Sequence, residues 1–129
     1  MRSFERDWDR AIARAVFRCA QCGEVAANVA LVIDEPRSGL IRESEFLGEW
    51  SQVVLEPGLQ PVAQALSSND APALYAVEPL WAPFYCPECR ACYCHEHWRM
   101  QVVFDEDWPD WYDYTEGTCT KGHRRLVDD

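Results

Sequence analysis

The residues of this 129-residue sequence best suited to chemistry are its seven cysteines and three histidines. Eight of them form four close pairs: Cys19 with Cys22, Cys86 with Cys89, Cys94 with His97, and Cys119 with His123. Thiolate and imidazole donors at such spacings are typical of tetrahedral zinc sites, in which each ion takes four donors. The sequence therefore predicts that these eight residues hold two Zn²⁺ ions.

The central block, Cys86-x2-Cys89-x4-Cys94-x2-His97, resembles the corresponding block of the treble-clef, cross-brace zinc fingers, a group that includes FYVE and RING domains. The resemblance implies that the first and third pairs share one ion while the second and fourth share the other. One site would then comprise Cys19, Cys22, Cys94 and His97, and the other Cys86, Cys89, Cys119 and His123. Sequential pairing, with an all-thiolate site from the first two pairs, stays open as the alternative.

Cys92 and the odd number of cysteines bear on the rival interpretations. An odd count fits poorly with complete disulfide pairing, and the absence of a secretory leader in MRSFERDWDR predicts a cytoplasmic, reducing environment. Cys86-x2-Cys89-x2-Cys92 is similar to an iron–sulfur run, but the available histidines favour zinc. Cys92 could also replace Cys94 as a ligand.

The ligand count disfavours catalysis. Eight ligands for two ions leave no open coordination position, which a catalytic zinc requires. The H-E-x-x-H pattern is absent, and Tyr85 precedes Cys86 where zinc deaminases carry proline. A zinc-dependent hydrolase is therefore the least favoured of the functional hypotheses.

The remaining patterns predict an α+β fold: a small zinc-stabilised treble-clef-like core with a helical insertion and an N-terminal helix. Ser3 would cap the N-terminal helix, and Val25–Asp34 alternates like a strand. Asp70 would cap a helical turn within the insertion. The predicted boundaries within a single domain, 1–129, are an N-terminal helix over 3–17, a zinc core over 16–34 and 84–127, and a helical insertion over 40–83. Within them we expect helices over 46–54 and 61–68, and strands over 100–104 and 124–127.

The net charge of −10 restricts the classes of partner. Nucleic acids and anionic membranes are recognised through clustered Lys and Arg, so both are disfavoured. A protein partner with a basic surface fits the charge. Trp98, Trp108 and Trp111 are the candidate contacts, the last two within an acidic, aromatic segment over 104–116.

These observations support a non-catalytic zinc-binding protein-interaction module. The resemblance implies a RING-like adaptor in a ubiquitin-type pathway, although Gln21 stands where RING ligases usually carry an apolar contact residue. FYVE domains have basic residues before their second pair, and LWAPFYCPEC has none, so phosphoinositide binding is not implied. The strong negative charge supports an alternative, an acidic immunity or antitoxin-type inhibitor of a basic protein.

Overall fold

An 11-residue strand, Val25–Glu35, is the centre of the largest sheet in the computed structural model, which describes residues 3–129. The four strands of this sheet run antiparallel in the order β1-β2-β3-β4, so that sequence neighbours are also spatial neighbours. They are β1 (Ala13–Arg18), β2 (Val25–Glu35), β3 (Ser38–Ser44) and β4 (Trp50–Leu55). The strand predicted from the alternation of Val25–Asp34 is confirmed.

Two smaller antiparallel sheets follow along the chain. The first joins β5 (Tyr85–Cys86) to β6 (Ala91–Cys92), and the second contains β7 (Trp98–Phe104), β8 (Tyr112–Cys119) and β9 (Arg124–Asp128). The helices are α1 (Phe4–Arg10), α2 (Leu59–Ser67) and α3 (Ala71–Val77), with 3₁₀ turns at Pro79–Trp81 and His95–His97. The predicted strands near the C-terminus are confirmed as parts of β7 and β9.

The predicted α+β fold with a treble-clef-like core is wrong, because most of the regular structure is antiparallel sheet. A treble clef requires a helix after its third ligand pair. Here a single 3₁₀ turn ends at His97, and the chain then enters β7 directly. Trp98 pairs with Cys119 of β8, so the backbone hydrogen bonds of this segment go to a neighbouring strand.

The predicted N-terminal helix over 3–17 is also wrong beyond its first two turns. Ser3 caps it as expected, but α1 ends at Arg10 and Ala11 is extended. Ala13, Ala15 and Phe17 are all buried in β1, an alternation with period two rather than 3.6. Pairing with β2 satisfies the backbone of this segment and overrides its helical pattern.

The predicted helical insertion over 40–83 is correct only in its second half. Helices α2 and α3 lie where the sequence predicts them, and the Asp70 side chain caps α3. The predicted helix over 46–54 is instead a loop followed by β4. Gly48 lies in the loop with a φ of +83°, and the β-branched Val53 and Val54 favour the strand.

An aromatic cluster joins the three sheets. Phe84 stacks on Phe17 of β1 with ring centroids 5.0 Å apart and meets the edge of Phe46 at 6.2 Å. Trp98 of β7 meets Phe46 and Tyr93 edge-on, each at 6.2 Å. All five side chains are buried. Apart from Phe46, the rings come from β1, which precedes the first ligand pair, and from the segment 84–98, which contains the second and third pairs. The aromatic core therefore fixes the two small sheets against the large one.

Strand β3 carries charged side chains into the interior. Arg42 pairs with Asp7 of α1 at 3.4 Å, and both are almost fully buried. Glu43 is 1% exposed, and neither of its carboxylate oxygens has a hydrogen-bond partner among residues 3–129. Burial raises the pKa of Glu43 well above its ordinary value, because the apolar core disfavours the ionised form.

Candidate metal centres

The first cluster combines the first and third sequence pairs: Cys19, Cys22, Cys94 and His97. The donor atoms all lie within 4.8 Å of one another. Cys22 and Cys94 place their Sγ atoms 3.7 Å apart. The Nδ1 atom of His97 lies 3.5 Å from the Sγ of Cys19 and 3.2 Å from that of Cys94. This cluster sits where the turn after β1 meets the 3₁₀ turn before β7.

The second cluster combines the second and fourth pairs: Cys86, Cys89, Cys119 and His123. The Sγ atoms of Cys89 and Cys119 are 3.7 Å apart. The Nδ1 atom of His123 lies 3.2 Å from the Sγ of Cys89, and 3.5 Å from those of both Cys86 and Cys119. This cluster therefore connects the β5–β6 hairpin to the turn between β8 and β9.

These distances match the edges of a metal-centred tetrahedron. Zinc bonds of about 2.3 Å to sulfur and 2.0–2.1 Å to nitrogen imply S···S edges of about 3.8 Å and S···N edges of about 3.5 Å. Three thiols and one imidazole form a closed structural donor set. Both Cys₃His clusters could thus hold a metal ion, and the donor chemistry fits zinc.

The turns that carry the first and fourth pairs share one hydrogen-bond feature, although they differ in length by one residue. Gln21 and Lys121, each two residues after a ligand cysteine, donate their backbone N–H groups to the Sγ atoms of Cys19 and Cys119 at 3.4 Å. Gly23 and Gly122 complete the two turns with φ values of +79° and +89°. Such a conformation favours glycine, so the sequence is adapted to bring backbone donors to each sulfur.

The pKa values of the thiols report this environment. Burial acts to raise the pKa of Cys19, but backbone N–H groups, that of Cys94 foremost, outweigh it and lower the pKa to about 6. Burial also acts to raise the pKa of Cys119, but backbone N–H groups, that of His123 foremost, outweigh it and lower the pKa to about 7. Burial raises the pKa of Cys86 and of Cys94 to about 11. Each cluster therefore holds one sulfur poised as a thiolate, the form that binds metal.

Sequence reasoning missed Glu88, which lies between the two cysteines of the second pair. Its Oε2 atom is 3.2 Å from the Nε2 atom of His123, on the side of the ring opposite the sulfurs. Ligating histidines usually direct their second nitrogen to such an acceptor. The one signal in the sequence was an acidic residue directly before Cys89.

Cys92 and His95 lie outside both clusters. Cys92 is half-buried in β6, where it pairs with Tyr85 of β5, and burial raises the pKa of its thiol to about 12. Cys94, and not Cys92, lies with the first cluster. The ring of His95 packs edge-on against Phe46, with ring centroids 6.3 Å apart.

The three tryptophans predicted to contact a partner lie in different surroundings. Trp98 is 5% exposed, and its indole N–H donates to the carbonyls of Tyr93 and Phe84. It is a core residue with no surface to offer a partner. Trp108 and Trp111 are 65% and 69% exposed at the tip of the β7–β8 hairpin, with ring centroids 6.4 Å apart.

Comparison with known proteins identifies one family. Residues 9–129 match the family described as a domain of unknown function, DUF8328, and the chain belongs to that family. No curated protein and no solved structure matches the chain. Within residues 3–129, no helix has the length and apolar character needed to cross a membrane.

Proposed function

We propose that this DUF8328 member is a non-catalytic interaction module, in which two zinc ions hold the fold and an acidic, aromatic arm binds a protein partner with a basic surface. The arm comprises residues 102–114, the distal part of the β7–β8 hairpin. The observation that carries the proposal is the pair of exposed indoles, Trp108 and Trp111, at the tip of this arm.

The donor sets support a structural role for both ions. Each cluster supplies four protein donors at tetrahedral distances, which leaves no position for a substrate or a reactive water. The two clusters join segments that are far apart in sequence: Cys22 and Cys94 differ by 72 positions, and Cys89 and Cys119 by 30. An ion at each position therefore cross-links the fold.

The arm extends beyond the support of its sheet. Strand β9 pairs with β8 only from Thr115 to Thr118, so the arm is two-stranded. Val102, Phe104 and Tyr112 are 47%, 53% and 46% exposed, in addition to the two tryptophans. A two-stranded hairpin with exposed apolar side chains is only marginally stable by itself, and a partner that covers it gains apolar contact area.

The tip of the arm is ordered for recognition. Asp105 accepts hydrogen bonds from the backbone N–H groups of Asp107 and Trp108 at 2.8 and 3.0 Å. Its own N–H donates to the carbonyl of Trp111 at 2.9 Å. A preformed loop loses less entropy on binding, and exposed Trp residues are frequent anchors at interfaces. The neighbouring carboxylates select a basic partner.

Affinity capture from a native lysate, followed by titration with the purified partner, tests the proposal. We expect Trp108→Ala/Trp111→Ala to weaken binding at least tenfold, and a rise in salt from 50 to 300 mM to weaken binding to the wild type. The matched control is Val53→Ser/Leu55→Ser, which removes exposed apolar side chains from β4 on the large sheet. Equal binding by all three proteins would contradict the proposal.

The net charge of −10 favours a second candidate within the same class, an immunity or antitoxin-type inhibitor. Such an inhibitor would abolish the activity of the captured basic protein at a one-to-one ratio. Assaying the captured protein for lost activity tests this candidate.

A further inference from the structure

A groove of about 900 Å³ lies between α1 and the loop that joins β3 to β4. None of its lining residues belongs to either metal cluster or to the arm. Its floor carries the aromatic rings of Phe4 and Trp8, both half-buried and stacked with centroids 6.0 Å apart. This volume is within the range of sites that enclose a small ligand or a single long side chain.

Among residues 3–129, the charged side chains that line the groove are all acidic. Glu5 and Asp9 belong to α1, and Glu45 and Glu49 belong to the β3–β4 loop. All four carboxylate side chains are exposed. An aromatic floor between two acidic walls is complementary to a cation with a flat, apolar body.

The protein itself shows which cation these rings accept. The guanidinium of Arg14 lies over the Trp8 ring at 5.3 Å from its centroid, and that of Arg42 lies over Phe4 at 5.7 Å. Neither arginine lines the groove. The planar guanidinium both stacks on aromatic faces and donates to carboxylates through two nitrogens, whereas the lysine ammonium is a compact point charge.

We propose that this groove, which we call the α1 groove, binds an arginine side chain of a protein partner. The proposal deepens the proposed function, since it names the chemistry by which a basic partner is recognised at a second surface. The guanidinium stacks on the floor formed by Phe4 and Trp8. Glu45 and Glu49 then pair with it from the loop, while Glu5 and Asp9 face the residues beside it.

Titration with a short peptide tests the α1 groove without knowledge of the natural partner. The probe is acetyl-Gly-Gly-Arg-Gly-Gly-amide, and its matched control replaces arginine with citrulline, which keeps the planar shape and lacks the charge. We expect the arginine peptide to shift the amide resonance of Gly48 and the indole resonance of Trp8. We expect the citrulline peptide to bind at least tenfold more weakly.

Two double variants show where the peptide binds. Glu45→Gln/Glu49→Gln removes two carboxylates from the groove, and each exposed ion pair corresponds to roughly a two- to fivefold change in affinity. We therefore expect on the order of tenfold weaker peptide binding. Glu106→Gln/Asp110→Asn removes the same charge from the arm and should leave peptide binding within twofold of wild type.

The outcomes separate this inference from the proposed function. Binding that is lost in Glu45→Gln/Glu49→Gln but kept in Trp108→Ala/Trp111→Ala supports the α1 groove. The reverse pattern overturns the groove and leaves the arm as the partner site. Absence of shifts at Gly48 and Trp8 with millimolar peptide, or equal binding of the citrulline peptide, also overturns the groove.

Discussion

His123 connects Glu88 to the second metal cluster. Its Nε2 atom lies 3.2 Å from the Glu88 carboxylate, while its Nδ1 atom lies 3.2 Å from the Sγ of Cys89. In the neutral ring, a proton on Nε2 donates to Glu88 and leaves the lone pair of Nδ1 directed at the sulfurs. The contact thus selects the tautomer that can bind a metal ion.

Glu88→Gln is expected to lower the metal affinity of the second cluster about 10- to 100-fold, the range for such supporting groups. Competition between the protein and a chromophoric chelator, followed as two successive steps of metal release, measures the change. The control is Glu96→Gln, an exposed acid that directly precedes His97 of the first cluster. Unchanged release from Glu88→Gln would show that the contact has no effect on the metal.

Two equivalents of zinc per chain are expected, and folding is expected to depend on them. Structural zinc contributes about 10–16 kcal/mol of apparent binding free energy, comparable to the ~5–15 kcal/mol stability of a whole domain. Cys94→Ser should lose one equivalent, whereas Cys92→Ser should keep two. Elemental analysis and circular dichroism after chelation check both. Retained structure in the metal-free protein, or a full complement in Cys94→Ser, would contradict the expectation.

Glu43 should make stability fall as pH rises. Its pKa in the folded protein is raised by burial, so the fold favours the protonated form and the unfolded chain releases the proton first. The stabilisation is complete below the ordinary pKa and is lost as pH increases toward the folded value. Stability therefore changes with pH in the opposite direction to that produced by an acid held in an ion pair, whose contribution is lost as the pH falls.

Glu43→Gln tests this, because glutamine does not titrate. Between pH 6 and 8, the free energy of unfolding of the variant relative to wild type should grow by up to ~1.4 kcal/mol per pH unit while Glu43 stays protonated in the folded protein. Denaturant titrations at several pH values measure this slope. Glu45→Gln, at an exposed position two residues further along, is the matched control. Parallel curves for Glu43→Gln and wild type would refute the expectation.

Arg125 joins β9 to the start of β5 and to the segment that precedes it. Its guanidinium donates to the carbonyls of Ala82 and Tyr85 at 2.7 Å and to that of Pro79 at 2.8 Å. Arg125→Ala should destabilise the fold by about 2–4 kcal/mol, because three carbonyls lose a charged donor. Arg125→Lys should recover only part of this, since a single ammonium nitrogen cannot take the place of the two guanidinium nitrogens that reach the three carbonyls.

Thermal or denaturant unfolding measures the loss. Arg124→Ala is the matched control: it removes an exposed arginine from the preceding position of the same strand and should change stability by less than about 0.5 kcal/mol. Equal effects at both positions would mean that the bonds of Arg125 contribute nothing specific.

The sequence predicted a helix or strand correctly where the local pattern and the long-range contacts favour the same structure. The alternation of Val25–Asp34 and the Asp70 cap of α3 are of this kind. The apolar residues of the segment 12–17 fit both the helical period of 3.6 and the strand period of two. Pairing with β2 makes the segment a strand. The burial of Glu43 had no local signal, because Arg42, Glu43 and Ser44 form a polar run of the type expected on a surface.

The ligand pairs were readable from their spacing, and the interleaved grouping that the resemblance implied is the one the structure has. Spacing alone left the sequential grouping open. Loop-closure entropy changes only slowly with length, so chain separation does not favour sequential over interleaved pairs. The grouping depends on the aromatic core, since Phe17, Phe84 and Trp98 bring the ligand-bearing segments together. Long-range packing of this kind leaves no trace in a window of neighbouring residues.

The interleaving of the ligand pairs bears on how the protein is made. The four strands of the large sheet, which end at Leu55, are synthesised before His97 completes the first donor set, and the second set lacks a donor until His123 is added. No cut between 89 and 94 leaves a complete donor set on either piece. Neither donor set can therefore close on a metal ion while the segment up to Cys94 is being translated. A metal ion that fills either cluster has to arrive after the whole large sheet has been made.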